Sequence, residues 1–293
     1  MRAGVDGPIL LRPCPALMEM ADMLLTTRSR SVQQIHENRA AHLAEHRADM
    51  RRTVEPHNPF YDVLADGAWR NEPCFIIAGG PSLIGFDFER LRGRGHVIAI
   101  NRAFEFAPFA DILFFMDWRF YRICHDDPER YKLWQGFKGH KVFLNIIGRK
   151  LDDCNSVRSV GRNGASTSIR GGLHHGNNSG VGALNLALCL KARPIYLLGY
   201  DMRHENGQAH FHSGYGGVAR EKTALSFANE FRYIDKSLTD KSGIVNLNPR
   251  SALRFFPFGN IDEVLKDGPA RKNMGNNASP VREPAVLCSS PAN

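Results

Sequence analysis

Cys74-Phe75-Ile76-Ile77-Ala78-Gly79-Gly80-Pro81-Ser82-Leu83 runs from residues suited to a buried strand straight into a glycine pair, a proline and a serine. Adjacent glycines let the backbone turn sharply and bring bare N–H groups close to a ligand. Ser82 is placed to cap a following helix, whose positive end suits a phosphate. The spacing is neither the Gly-x-Gly-x-x-Gly of a dinucleotide site nor a P-loop, which needs Lys-Ser/Thr. Taken alone, the stretch serves equally as a tight strand-to-helix turn.

Outward from it, strands are expected at Cys74–Ala78, His96–Ile100, Asp111–Met116, Lys141–Ile147, Pro194–Leu198 and Gly243–Leu247. Most are short continuous apolar runs, as in strands covered on both faces. Helical patterns fall between them near Phe88–Arg92, Pro128–Phe137, Val181–Leu190 and Ala219–Leu238. This alternation predicts an α/β protein with a doubly wound, mostly parallel, Rossmann-like sheet. Ligands of such sheets bind beyond the carboxyl ends of the strands, where strand order reverses, and the glycine turn belongs at that edge.

Residues 1–70 read as an N-terminal helical extension and linker. A helix over about 16–52 has a basic side of Arg39, His42, His46 and Arg47, and Pro56, Pro59 and Gly67 then mark the linker. Residues 71–266 are expected to form the α/β nucleotide-binding catalytic domain. The stretch 267–293, rich in Gly, Pro, Ser and Asn, reads as a disordered tail.

With 293 residues, 43% apolar and 23% charged, the chain has the composition of an ordinary soluble protein. No apolar run approaches the roughly 20 residues of a membrane span, and Pro13, Pro15, Glu19 and Asp22 interrupt the N-terminal apolar residues, so no signal peptide is read. Six scattered cysteines without a Cys-x-x-Cys pair fit a reducing cytoplasm. The net charge of +8 calls for an anionic partner without identifying it, and much of the excess lies in Arg28 to Arg52.

Several polar residues fall at predicted strand ends. Asn101, directly after the second strand, offers a donor and an acceptor to a ribose, phosphate or base, or makes an ordinary turn. Asp117, after the third, suits a ribose hydroxyl, a magnesium ion or a helix cap; without a second aspartate at Asp-x-Asp spacing, a metal is disfavoured. The glycine-rich polar stretch Arg162–Gly182 precedes a buried helix that Asn178 or Ser179 would cap. Tyr200-Asp201-Met202-Arg203-His204, then His210-Phe211-His212-Ser213-Gly214-Tyr215, form the densest cluster. Histidine titrates near neutrality, as a general base should. In an extended stretch, His-x-His puts both rings on one face, a placement that zinc would also use.

Gly79-Gly80-Pro81-Ser82-Leu83, Asn101, Asn178-Ser179-Gly180-Val181 and Tyr196-Leu197-Leu198-Gly199-Tyr200-Asp201 follow one another in an order that resembles a known superfamily. It groups bacterial sialyltransferases, Maf-type flagellin glycosyltransferases and MptE-like hydroxymethylpterin diphosphokinases. The likeness covers roughly Pro73 to Phe258 and implies a sialyltransferase-like fold. It also implies that Gly79, Gly80, Ser82, Asn101, Asn178, Ser179 and Gly180 hold the nucleotide of an activated sugar such as a CMP-sialic acid. His212 matches the proposed base of the sialyltransferases, with His210 close behind. Those enzymes place tyrosines after the Gly-x-Asp strand; here Arg203 and His204 stand instead, and Arg203 could neutralise the leaving phosphate. Asn248-Pro249-Arg250-Ser251 resembles the family's closing element, with Arg250 and Ser251 near the nucleotide.

A glycosyltransferase of this kind needs no cofactor beyond its nucleotide-sugar donor, and its acceptor is left open among a glycan, a protein and a modified base. The alternative is a diphosphokinase moving pyrophosphate from ATP to a hydroxymethyl group, with magnesium on Asp117 and Asp201. A third reading is a nucleotide- or polyanion-binding module without catalysis. A homo-oligomer through the N-terminal helix is a further expectation.

Overall fold

The computed structural model describes residues 56–213, 221–234, 238–240 and 243–267. The helix expected over 16–52, the tail after 267, Tyr215 and the first residues of the helix expected from Ala219 lie outside the described residues.

Eight strands form one sheet: β1 (Cys74–Ile77), β2 (His96–Ile100), β3 (Ile112–Phe115), β4 (His140–Asn145), β5 (Asn155–Gly161), β6 (Leu173–His174), β7 (Ile195–Leu198) and β8 (Ile244–Asn246). Neighbours are parallel throughout, in the order β6-β5-β4-β3-β2-β1-β7-β8. The chain lays strands outward from β1 as far as β6, then crosses back to set β7 on the other side of β1. Strand order therefore reverses between β1 and β7. The helices are α1 (Trp118–Asp126), α2 (Pro128–Gly136), α3 (Ser179–Cys189), α4 (Glu221–Glu230) and α5 (Ile261–Asp267).

All four residues of β1 are buried because both sheet faces are covered. Side chains alternate between faces. Cys74 and Ile76 join a layer containing α3, whereas Phe75 and Ile77 join one with residues of α1, α2 and α5. This is the doubly wound α/β architecture expected. α3 carries no charge and is buried nearly all round, as suits a helix lying over the middle of a sheet.

Three local expectations change. β5 reads Asn-Ser-Val-Arg-Ser-Val-Gly, too polar for an apolar run, and only Ser156 and Val157 in it are buried. It pairs near the sheet margin, where full burial is not required, and β6 beyond it is only two residues long. The helix expected at Phe88–Arg92 is a 3-10 turn, Phe88–Leu91, capped by Asp87, while α1 was anticipated only through the capping role open to Asp117. Finally, residues 56–70 are not a linker. Phe60 is fully buried, Pro59 bridges to Ser156, and the Trp69 N–H donates to the Leu190 carbonyl at 2.9 Å. The α/β unit therefore includes residues from 56 onward, and its prolines shape a packed segment. Among the described residues no helix is long and apolar enough to cross a membrane.

Candidate functional site at the strand-order reversal

At the carboxyl ends of β1 and β7 the chain is drawn together by one buried carboxylate. Asp201 accepts the Ser82 N–H at 2.8 Å and the Ser82 hydroxyl at 2.7 Å. Alongside, the Gly80 N–H donates to the Gly199 carbonyl at 2.9 Å. Burial pushes the Asp201 carboxyl up from the usual range, against the pull of hydrogen bonds from Ser82 and Asn248. A Cβ at Gly80 would run into the Asp201 carboxylate and the Gly199 carbonyl, so this glycine permits strand-to-strand approach. Ser82 does not cap a helix: Gly80 is the N-cap of a 3-10 turn, Pro81–Leu83, of three residues. The N–H groups of Gly80 and Ser82 are thus spent inside the protein.

The start of α3 is fastened to the same crossover. Tyr200, fully buried, donates its hydroxyl to the Gly180 carbonyl at 3.1 Å, and a Cβ at Gly180 would press on the Tyr200 ring at 2.9 Å. Asn178 caps α3, accepting from the Val181 N–H at 3.0 Å, and half-buried Ser179 opens its first turn. The Gly79 turn and the Asn178 cap therefore meet at Gly199-Tyr200-Asp201.

Beyond β7 the chain doubles back, and the Phe211 N–H donates to the Gly79 carbonyl at 3.0 Å. This lays His210 and His212 over the glycine turn, with rings parallel to within 2° and centroids 5.4 Å apart. His210 Nδ1 and His212 Nε2 lie 3.1 and 3.7 Å from where a side chain on Gly79 would begin. Burial first, then Arg102 and His210, push the His212 imidazole down to about 4. Burial also lowers His210, helped by His204 and Arg102 and opposed by a hydrogen bond to the Gly79 backbone. Both rings are neutral at pH 7.

Sequence reasoning missed Arg102. It is 5% exposed, grips Glu105 through two bonds of 2.7 and 2.6 Å, and turns Nη1 toward His212 Nδ1 at 3.3 Å and the Ser213 carbonyl. The available signal was an Arg and a Glu three apart directly after a strand-end asparagine. That asparagine, Asn101, adopts a left-handed φ of 51°, which asparagine tolerates better than most residues. Its Oδ1 is buried without a hydrogen-bond partner among the described residues.

Other expected site residues lie apart or serve the scaffold. Asp117 is exposed and caps α1 through the Arg119 N–H at 2.8 Å. Arg203 is exposed and reaches the Arg250 carbonyl at 3.4 Å. Ser251 is fully buried, its hydroxyl donates to the Tyr200 carbonyl at 2.5 Å, and it accepts the Leu253 N–H at 2.9 Å. A second polar cluster follows β6. The Asn177 N–H donates to His175 Nδ1 at 3.0 Å, and Arg162 pairs with Glu230 at 2.6 Å. Among the described residues no group of three His, Cys, Asp or Glu is arranged to hold a metal ion.

Two cavities adjoin the glycine turn. One of about 260 Å³ lies among Ser82, Phe86, Leu198, Leu247, Asn248 and Arg250. Another of about 310 Å³ lies among Leu83, Phe86, Phe88, Phe106 and Phe211.

No family model matches the chain, and no curated protein matches it. Among solved structures it is similar to the Maf glycosyltransferase from Magnetospirillum magneticum AMB-1, with a TM-score of 0.49 at 17% sequence identity. The match covers 77% of this chain and 38% of that one, so the chain spans well under half of that protein. So distant a likeness assigns neither activity nor residues, and the architecture stands on its own strand order.

Proposed function

We propose that the chain is a glycosyltransferase that uses a nucleotide-activated sugar, of the CMP-sialic-acid kind, with a histidine base. The observation that carries this reading is the pair of neutral imidazoles held over the Gly79 turn, where strand order reverses and doubly wound sheets bind nucleotides. Asn101 Oδ1 supplies a buried acceptor one strand away.

In the reaction, the acceptor oxygen bonds to the anomeric carbon of the donor. The bond from that carbon to the phosphate oxygen breaks, its electron pair leaves with the phosphate, and the hydroxyl proton passes to an imidazole. Each imidazole meets a backbone carbonyl, His210 that of Gly79 and His212 that of Ser213. Arg102 Nη1 lies 3.3 Å from His212 Nδ1, and His212 Nε2 is the nitrogen on the side of the turn. His210 bonds to the Gly79 backbone, and Nδ1 is its nitrogen nearest that residue, so Nε2 is left to take the proton.

A diphosphokinase is less well supported. Asp117 and Asp201 follow β3 and β7, three strand spacings or about 14 Å apart at the sheet edge. That is too far to share one magnesium ion, and Asp201 already serves Ser82.

Thermal shift with CTP, CMP, UDP, GDP and ATP, each with and without magnesium, tests the proposal. A stabilising shift by a cytidine nucleotide without metal is expected. A shift by ATP that strictly requires magnesium would establish the diphosphokinase instead, and polyanion binding with a steep salt slope the binding module. His210→Ala should lower kcat on the order of 10²-fold or more while leaving the nucleotide shift intact. Because the His210 pKa is lowered, kcat/KM should hold as pH falls through 6.5 and decline only below it. An acid limb above 6.5 would contradict the assignment.

A further inference from the structure

The 310 Å³ cavity is walled in part by Phe106 and Phe211, whose rings both neighbour that of His212. Phe211, between His210 and His212 in sequence, packs edge-on against Phe106 with centroids 4.9 Å apart and lies 5.4 Å from Phe88. Phe86 meets Phe88 edge-on at 5.2 Å. Phe106 is 41% exposed and also neighbours Phe88 at 6.1 Å and the His212 ring, nearly parallel, at 6.3 Å. It leaves a partly open phenyl ring beside a candidate proton-transfer group.

Leu83, Phe86, Phe88, Phe106 and Phe211 make up the apolar part of the lining, and Asp87 and Glu89 belong to its polar part. Asp87 accepts the Glu89 N–H at 3.0 Å and Glu89 pairs with Arg92 at 2.6 Å, and each carboxylate keeps acceptor capacity for a hydroxyl group. Edge-on phenyl walls favour a flat aromatic ring. A cavity of about 150 Å³ accommodates benzene, so this one holds an aryl group of one or two rings.

We propose that this cavity is the acceptor subsite and that the acceptor carries an aryl group close to its reacting hydroxyl. The proposal rests on the glycosyltransferase reading for the word acceptor, but the cavity's preference for aryl groups is testable without it.

The probe is 2-naphthol, titrated by its own fluorescence against the full chain. Saturable binding is expected, weakened about tenfold in Phe86→Ala. Phe106→Leu, which keeps the apolar volume but removes the ring, should weaken 2-naphthol more than cyclohexanol. Melting temperatures confirm that each variant is folded. With the donor that the nucleotide panel identifies, a 4-nitrophenyl glycoside should show a lower KM than the matched methyl glycoside. No saturation by about 1 mM 2-naphthol, or equal affinity in folded wild type and Phe86→Ala, overturns the subsite. If 2-naphthol binds through Phe86 while no nucleotide shifts the protein, the glycosyltransferase reading fails and the aryl cavity stands. If nucleotides bind and 2-naphthol does not, the reverse holds.

Discussion

His175 is 4% exposed, and burial, Arg162 and His174 push its imidazole down to about 4, with Glu230 pulling the other way. An unfolded chain takes up that proton near 6.5, so the folded state is disfavoured as pH falls from 6.5 toward 4 and unaffected above that window. By pH 5 this group alone should lower stability by about 2 kcal/mol relative to pH 7.5. Urea midpoints at the two pH values check this: His175→Asn should narrow the gap, and an unchanged gap would remove His175 as the cause. Residues of this kind are hard to read from sequence. The Asn178 cap was legible because its reason is local, a side chain that accepts an N–H three residues on. Arg102 and Tyr200 were not, since what makes them matter is contact with residues 110 and 20 positions away.

Among elements, the turn after β1 and the crossover after β7 hold each other through Ser82 and Asp201. Ser82→Ala leaves a buried carboxylate one donor short and should cost about 1–3 kcal/mol. Chemical denaturation of the single variants and of Ser82→Ala/Asp201→Ala together would separate this coupling from general loss of packing. Additive effects would mean that the two residues do not act as a unit. The strands themselves were legible where both faces are buried, as in β1 to β3. β5 escaped notice because a strand near the margin keeps polar residues, and period-two or all-apolar patterns then fail.

For the whole molecule, strand order was only partly legible: alternation implied a parallel sheet, but the reversal between β1 and β7 is a tertiary fact. Amide hydrogen exchange should be slowest in β1, β2 and β3, which are buried throughout and paired on both sides. It should be faster in β6 and β8, the outermost strands. Protection of β8 equal to that of β1 would show that the sheet opens as one unit.

The central place of β1 has a consequence for synthesis. Its seventh-made neighbour must emerge from the ribosome before Cys74–Ile77 is covered along both sides. Until then a nascent chain carries an oily ribbon with one bare margin, prone to recruit copies of itself. Stalled translation between α3 and β7 would thus release fragments that are sticky and lack the histidine arm altogether.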